Sequence, residues 1–249
     1  MWIIQIPCCL LAILDLYFLN HLTHSQETAL LSPTPQIHRL TPNFISDMLE
    51  VEWYDGGSVF LEEMDATWQI QILRKELTEE VALETYHSKL SAHKKLLHWT
   101  WTSDLPFNCT THYVRIRCQL HGNTLEESKW GQWSQVANIT GKDTGSTTQM
   151  YPIDRMVQVG SDVTFCCVWK NGQSLISVHY ADCSTEWCWT SPLSERSMLI
   201  HVHNVRASIQ SGNNAWCNLQ NYPGPDEVLT GTVLFVGCKY EEFVWAFLH

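Results

Sequence analysis

Hydrophobic and polar positions alternate along the first half of the chain. Leu49, Val51 and Trp53 are separated by single polar residues, and the same period of two recurs at Trp68, Ile70 and Ile72, at Leu97, Trp99 and Trp101, and at Val114 and Ile116. This period gives a strand one core-facing side. Short strands between turn signals predict an antiparallel sandwich. The spacing of residues 76–86 fits an edge strand or a helical turn equally well.

A second β-rich unit follows a polar segment at residues 143–150. Val163, Phe165 and Cys167 fall on one strand face, and Cys217 lies on a much later strand. A core-facing cysteine on an early strand and another on the penultimate strand are typical of the cross-sheet bridge of an immunoglobulin sandwich. We therefore predict a Cys167–Cys217 disulfide, which leaves Cys166 on the opposite face, beside the segment that joins the two units.

The N-terminal segment has features of a secretory signal. Residues 2–14 form an apolar stretch shorter than the roughly 20 residues of a membrane helix, and Thr23 and Ser25 are small residues at a suitable cut. We predict a signal at residues 1–25, although no Lys or Arg precedes the stretch, which leaves open a buried or interfacial segment. The sequons at Asn108 and Asn138 agree with secretion. No later stretch reaches 18 apolar residues, so a secreted, extracellular chain without a membrane span is expected.

The composition narrows the classes of partner. The 249 residues carry 26 acidic against 15 Lys and Arg residues, a formal charge of -11. Such a surface disfavours nucleic acid and anionic membranes and favours a protein partner. Eight of the ten cysteines lie after residue 100, outside the N-terminal apolar stretch, which suits an oxidising compartment.

The most informative motif is a strand followed by a tryptophan pair. If Val114 and Ile116 face the core, the opposite face carries Tyr113, Arg115 and Arg117. The segment WGQWS then supplies Trp130, Trp133 and Ser134. Two indoles three residues apart can stack between two guanidinium groups, with each cation–π contact contributing about 0.5–2 kcal/mol.

These residues resemble the box of class I cytokine receptors of the interleukin-6 family, in the branch that contains the receptors for leukemia inhibitory factor and oncostatin M. Gly131 departs from the box, because the family usually has serine there. The segments VEWYDGGSVF at 51–60, LRKE at 73–76, LHWTWTSDLPFNC at 97–109 and VGSDVTFCC at 159–167 extend the resemblance over roughly residues 33–237.

The resemblance implies the domain organisation. It implies an all-β chain with a fibronectin type III-like sandwich at residues 26–142, the linker at 143–150, an immunoglobulin-like sandwich at 151–239 and a tail at 240–249 unlike the family. It also implies a bridge between the domains, here Cys109–Cys166. The outward face of Cys166 supports it, and the competing pair Cys109–Cys118 is disfavoured because Cys118 shares the core face of the strand. Cys183 and Cys188 are close enough to pair in a loop, which would leave thiols at Cys118 and Cys238, the latter able to link two chains.

The resemblance also implies the function. The immunoglobulin-like domain would dock on a four-helix cytokine of the leukemia inhibitory factor or oncostatin M type, through a loop formed by Ile209, Gln210, Ser211, Gly212, Asn213 and Asn214. The chain is expected to act as a secreted, truncated receptor ectodomain, a soluble receptor or antagonist that does not signal by itself, with a signalling co-receptor as a further partner. The alternative is a truncated or duplicated fragment that binds no ligand.

An enzyme is the disfavoured class. No nucleophile elbow, phosphate-binding glycine loop or zinc-protease motif is present in the sequence. His201 and His203 share a strand face, but no third metal ligand is specified, so we expect neither a metal nor a cofactor.

Overall fold

The computed structural model describes residues 32–56, 63–90, 94–121, 129–181, 183, 186–207 and 212–237. Four sequence predictions lie outside these ranges: the signal at 1–25, the loop residues Ile209, Gln210 and Ser211, the Cys238 thiol, and the tail at 240–249. No helix in the described ranges is long and apolar enough to cross a membrane.

The described part of the first domain contains seven strands in two sheets. One sheet has the order β1-β2-β5 and the other the order β4-β3-β6-β7, with antiparallel neighbours throughout. The alternating residues predicted to face inward form its core, in which Trp53 and Trp68 meet edge to face and are fully buried. The strands are β1 Gln36–Asn43, β2 Met48–Tyr54, β3 Met64–Arg74, β4 Glu79–Leu90, β5 Leu96–Thr102, β6 His112–His121 and β7 Ala137–Ile139.

In the residues that the structure describes, the second domain contains eight strands, again in two sheets. One has the order β12-β13-β10-β8, and the other has the order β11-β14-β15-β9, in which β9 runs parallel to β15. Phe165 and Cys167 of the first sheet face Cys217 and Leu234 of the second across one buried core. The strands are β8 Gln149–Tyr151, β9 Arg155–Gln158, β10 Val163–Val168, β11 Gln173–Tyr180, β12 Cys188–Ser194, β13 Ser197–Val202, β14 Asn213–Asn221 and β15 Glu227–Gly237.

A third buried cluster joins the two domains. It contains Leu105 and Cys109 from the first domain, Tyr151 at the start of the second, and four residues of the second domain's first sheet: Cys166, Val168, Leu193 and Leu199. The all-β fold predicted from the sequence, two sandwiches in succession, is confirmed. The buried contact means that the domains pack against each other instead of being joined only by a flexible linker.

Candidate functional site

The tryptophan and arginine side chains form a ladder on the outer face of β6. The guanidinium carbon of Arg117 lies 4.8 Å from the Trp130 ring centre and 4.4 Å from that of Trp133. The guanidinium carbon of Arg115 lies 4.6 Å from the Trp133 ring centre. Burial, with the neighbouring charge of Arg115, lowers the pKa of Arg117. The side chains therefore stack in the order Trp130, Arg117, Trp133, Arg115, and these contacts hold the segment that contains the two tryptophans against β6.

Two glutamines on β3, which sequence reasoning missed, hold the arginines in place. Arg117 donates through Nε to Gln69 Oε1 at 2.7 Å, and Arg115 donates in the same way to Gln71 Oε1 at 2.5 Å. The sequence pattern could have predicted this contact, because Gln69 and Gln71 alternate with the core residues of β3 and must lie on the outer face with the arginines.

The serine missing from the box is partly replaced by a serine from elsewhere in the chain. Ser134 Oγ accepts from the Ile116 N–H at 3.0 Å. Four residues further along β6, Ser32 Oγ donates to the Lys129 carbonyl at 3.2 Å and accepts from the Leu120 N–H at 3.4 Å. A Cβ at position 131 would come within 2.9 Å of Ser32 Cβ. Gly131 therefore makes room for Ser32.

Three disulfides lie in the described part of the chain, and one crosses the domain junction. Cys109 is bonded to Cys166. Cys166 does point away from the second domain's core, but it is fully buried in the junction cluster and does not reach solvent. The second domain contains the other two disulfides, Cys167–Cys217 and Cys183–Cys188. Cys118 is a buried thiol, and burial raises its pKa to about 12, with the charge of Asp55 contributing.

An ion pair crosses the junction on one side of the disulfide. Arg155 of β9 donates to Asp47 Oδ2 at 2.6 Å and to the Ile45 carbonyl at 2.5 Å, both in the turn between β1 and β2. Burial raises the pKa of Asp47 although the charge of Arg155 lowers it. On another side of the junction, Arg196 donates to the Asp143 carbonyl at 3.4 Å. Polar contacts thus flank the buried cluster.

A buried arginine organises the first domain's end of the junction. Arg74 Nε donates to His112 Nε2 at 2.8 Å, and its Nη2 reaches Ser103 and the Asp104 carboxylate. His112 therefore keeps its proton on Nδ1 and donates it to the Thr110 carbonyl at 3.0 Å. Burial, reinforced by the charge of Arg74, lowers the pKa of His112 to about 3. This imidazole is neutral under physiological conditions.

The predicted ligand loop is described at its C-terminal end. Gly212 and Asn213 are buried, and Asn213 Nδ2 donates to the Tyr180 hydroxyl at 3.0 Å. Gly212 has φ +77°, and a Cβ there would meet Val233 Cγ1 at 2.6 Å. Both residues hold the second domain together. Of these three, Asn214 is the residue exposed to solvent.

The two sequons and the histidine pair lie at exposed or half-buried positions. Asn138 is exposed on β7, whereas Asn108 is half-buried beside the interdomain disulfide. His201 contacts the hydroxyls of Thr164 and Ser191, and His203 pairs with Asp162 at 2.7 Å. The described residues contain no group of three or more metal-ligating side chains.

Comparison with known proteins matches both domains in the observed order. Residues 27–139 match the model of the leukemia inhibitory factor receptor D2 domain, and residues 150–237 match that of the leukemia inhibitory factor receptor immunoglobulin-like domain.

Curated relatives include the leukemia inhibitory factor receptor and the oncostatin-M-specific receptor subunit beta. The human leukemia inhibitory factor receptor is 35% identical over 86% of this chain and 18% of its own length, and the mouse receptor is 32% identical over 86% and 19%. The mouse oncostatin-M-specific receptor subunit beta is 28% identical over 95% of this chain and 24% of its own length. The chain thus spans about a fifth of these relatives, which are named as receptors and not as enzymes.

Proposed function

The chain belongs to the leukemia inhibitory factor receptor family, and from that premise we propose that its two domains act as one binding unit for a four-helix cytokine of the interleukin-6 family. The observation that carries the proposal is that both domains are present in order and are joined by the Cys109–Cys166 disulfide. In this account the first domain is the rigid support, and the second domain provides the contact surface.

The junction supports this division of roles. Three contacts hold the second domain against the first. They are the disulfide, the buried cluster around Cys166 and the Arg155–Asp47 ion pair. A surface whose orientation is already fixed loses less conformational entropy on binding than one on a free hinge. In the sheet β11-β14-β15-β9, Arg155 of β9 reaches the junction, and β15 exposes Leu229 and Phe235 to a partner.

The expected place of action is outside the cell, where the chain would be a soluble receptor or antagonist. Disulfides persist in oxidising compartments, and three of them lie in the described residues. Bound cytokine would be withheld from signalling receptors, or would be presented to a co-receptor.

The test is surface plasmon resonance of the glycosylated chain against immobilised leukemia inhibitory factor and oncostatin M. Saturable binding with a dissociation constant between about 1 nM and 1 μM is expected for an interface of standard size. Scrambling Ile209, Gln210 and Ser211 while keeping Gly212 and Asn213 should weaken binding by about tenfold or more.

The matched control is a three-residue scramble of Leu83, Glu84 and Thr85, which are exposed on β4 of the first domain. It should bind like the wild type. A folded, monomeric wild-type chain that binds neither cytokine would show the proposal to be wrong.

A further inference from the structure

The outer face of β15 is unusually apolar for a sheet surface. Leu229, Val233 and Phe235 alternate along the strand and therefore project on the same side. Leu229 is 69% exposed and Phe235 38% exposed. Met156 pairs with Phe235 on the neighbouring strand and is 48% exposed. Together these side chains form an apolar stripe, which we call the β15 stripe.

A notch interrupts the β15 stripe at Gly231. Trp216 lies directly opposite on β14, and a Cβ at position 231 would come within 2.9 Å of the Ala215 carbonyl oxygen and 3.1 Å of Trp216 Cβ. The notch is part of a groove of about 350 Å³, lined by Asp154, Asn214, Trp216, Leu229, Gly231 and Val233. His179 stacks on Trp216 with its ring centre 5.2 Å away and so stiffens the indole that forms one wall.

The charges around the groove indicate the chemistry of its occupant. The described strands β9, β11, β14 and β15 contain one Lys or Arg, Arg155, and its side chain is engaged by Asp47 and Ile45 at the junction. Apart from Arg155, the described charged residues beside the stripe are acidic: Asp154 lines the groove, and Glu227 accepts from Asn218 at 2.9 Å. A complementary surface is apolar at its centre and basic at its margin.

We propose that the β15 stripe is the surface on which the cytokine docks, with one apolar side chain of the cytokine inserted in the notch over Gly231. This inference rests on the proposed function and assigns its contact surface. An exposed apolar patch beside a half-buried tryptophan is the anatomy of an interface centre. The stripe is continuous with the predicted ligand loop, because Gly212 at the end of that loop packs against Val233 and Phe235.

The experiment compares two substitutions of one exposed side chain, Leu229→Lys and Leu229→Glu, in the full glycosylated chain. Each removes the same apolar contact, but lysine repels a basic margin and glutamate attracts it. Leukemia inhibitory factor and oncostatin M are the probes in surface plasmon resonance. For whichever one the wild type binds, Leu229→Lys should weaken binding at least tenfold, and Leu229→Glu should weaken it several-fold less. Leu83→Lys on the first domain, 43% exposed, is the control and should bind like the wild type.

The outcomes separate this inference from the proposed function. If the wild type binds cytokine and both Leu229 variants bind it as tightly as the wild type does, the β15 stripe is not the docking surface, although the proposed function stands. If the folded wild type binds neither cytokine, both are wrong. If sedimentation velocity shows a wild-type dimer that Leu229→Lys abolishes while cytokine binding is unchanged, the stripe is occupied by a second copy and the inference is overturned. Circular dichroism of each variant verifies its fold.

Discussion

Arg117 is held between two indole rings, whereas Arg115 lies against one. Each also donates to a glutamine of β3, so the second indole is the main difference between them. We expect Arg117→Ala to lower the free energy of unfolding by about 0.5–2 kcal/mol more than Arg115→Ala does, the contribution of one further cation–π contact. Urea denaturation followed by circular dichroism measures both. Equal losses would show that the second indole contributes nothing.

His112 makes the stability of the first domain depend on pH. Its pKa is about 3 in the fold, against a usual value of 6.5, so the unfolded chain takes up a proton in this range and the folded chain does not. The resulting stabilisation is complete above pH 6.5 and is lost as the pH falls from 6.5 towards 3, by up to about 5 kcal/mol.

The matched variant is His112→Gln, whose amide can accept from Arg74 and donate to the Thr110 carbonyl without titrating. Urea unfolding of both proteins at a series of pH values should show the wild type losing stability faster than the variant below pH 6.5. Parallel pH profiles would contradict the assigned burial of His112.

The sequence predicted the positions of some side chains but not the contacts of others. The alternation on β6 predicted where both arginines lie, because a period of two needs no tertiary information. The role of Ser32 was not predictable, since Ser32 and Leu120 are 88 positions apart and their contact depends on the fold. Asn213 was expected to contact ligand, but its burial against Tyr180 follows from packing that no local pattern shows.

At the scale of elements, the interdomain disulfide closes a loop of 57 residues, and Cys183–Cys188 closes one of 5. In the chain-entropy view, replacing the first pair by alanine should cost about 4 kcal/mol and replacing the second about 2 kcal/mol. Differential scanning calorimetry of the two double variants tests this order. A smaller loss for Cys109→Ala/Cys166→Ala would mean that the buried junction alone holds the domains.

The Arg155–Asp47 pair should respond unequally to loss of its two partners. Arg155→Gln leaves a buried carboxylate without its cation and should cost about 3 kcal/mol. Asp47→Asn should cost less than about 1 kcal/mol, because burial already penalises the charged form of Asp47 more than Arg155 compensates, and Arg155 keeps the Ile45 carbonyl. Thermal melting of the two variants distinguishes them. The opposite order would show that the charge of Asp47 stabilises the junction.

The strands with a strong alternation were predictable, and the weakly patterned one was not. Residues 76–86 left an edge strand and a helical turn open, and most of them lie in β4, an edge strand with little burial. The turn before it places Lys75, Glu76 and Leu77 at positive φ. No glycine or asparagine marks that turn in the sequence, so the hairpin had no local signal.

For the whole molecule, the order of the two sandwiches was predicted from the resemblance and is confirmed by the family comparison. The contacts between the two sandwiches were predicted only in part. The sequence indicated a covalent link, but the buried cluster and the ion pair combine residues distant in sequence, from Asp47 to Leu199. The consequence is a second domain held in a fixed orientation relative to the first.

The most direct test of this account is hydrogen exchange of the full chain, followed by mass spectrometry with and without saturating cytokine. The account predicts that cytokine slows exchange in peptides covering Asn213–Asn221 and Glu227–Gly237 and leaves β1 to β7 of the first domain unchanged. Protection confined to the first domain, or no protection under conditions where binding is saturated, would contradict the assignment of the cytokine contact to the second domain.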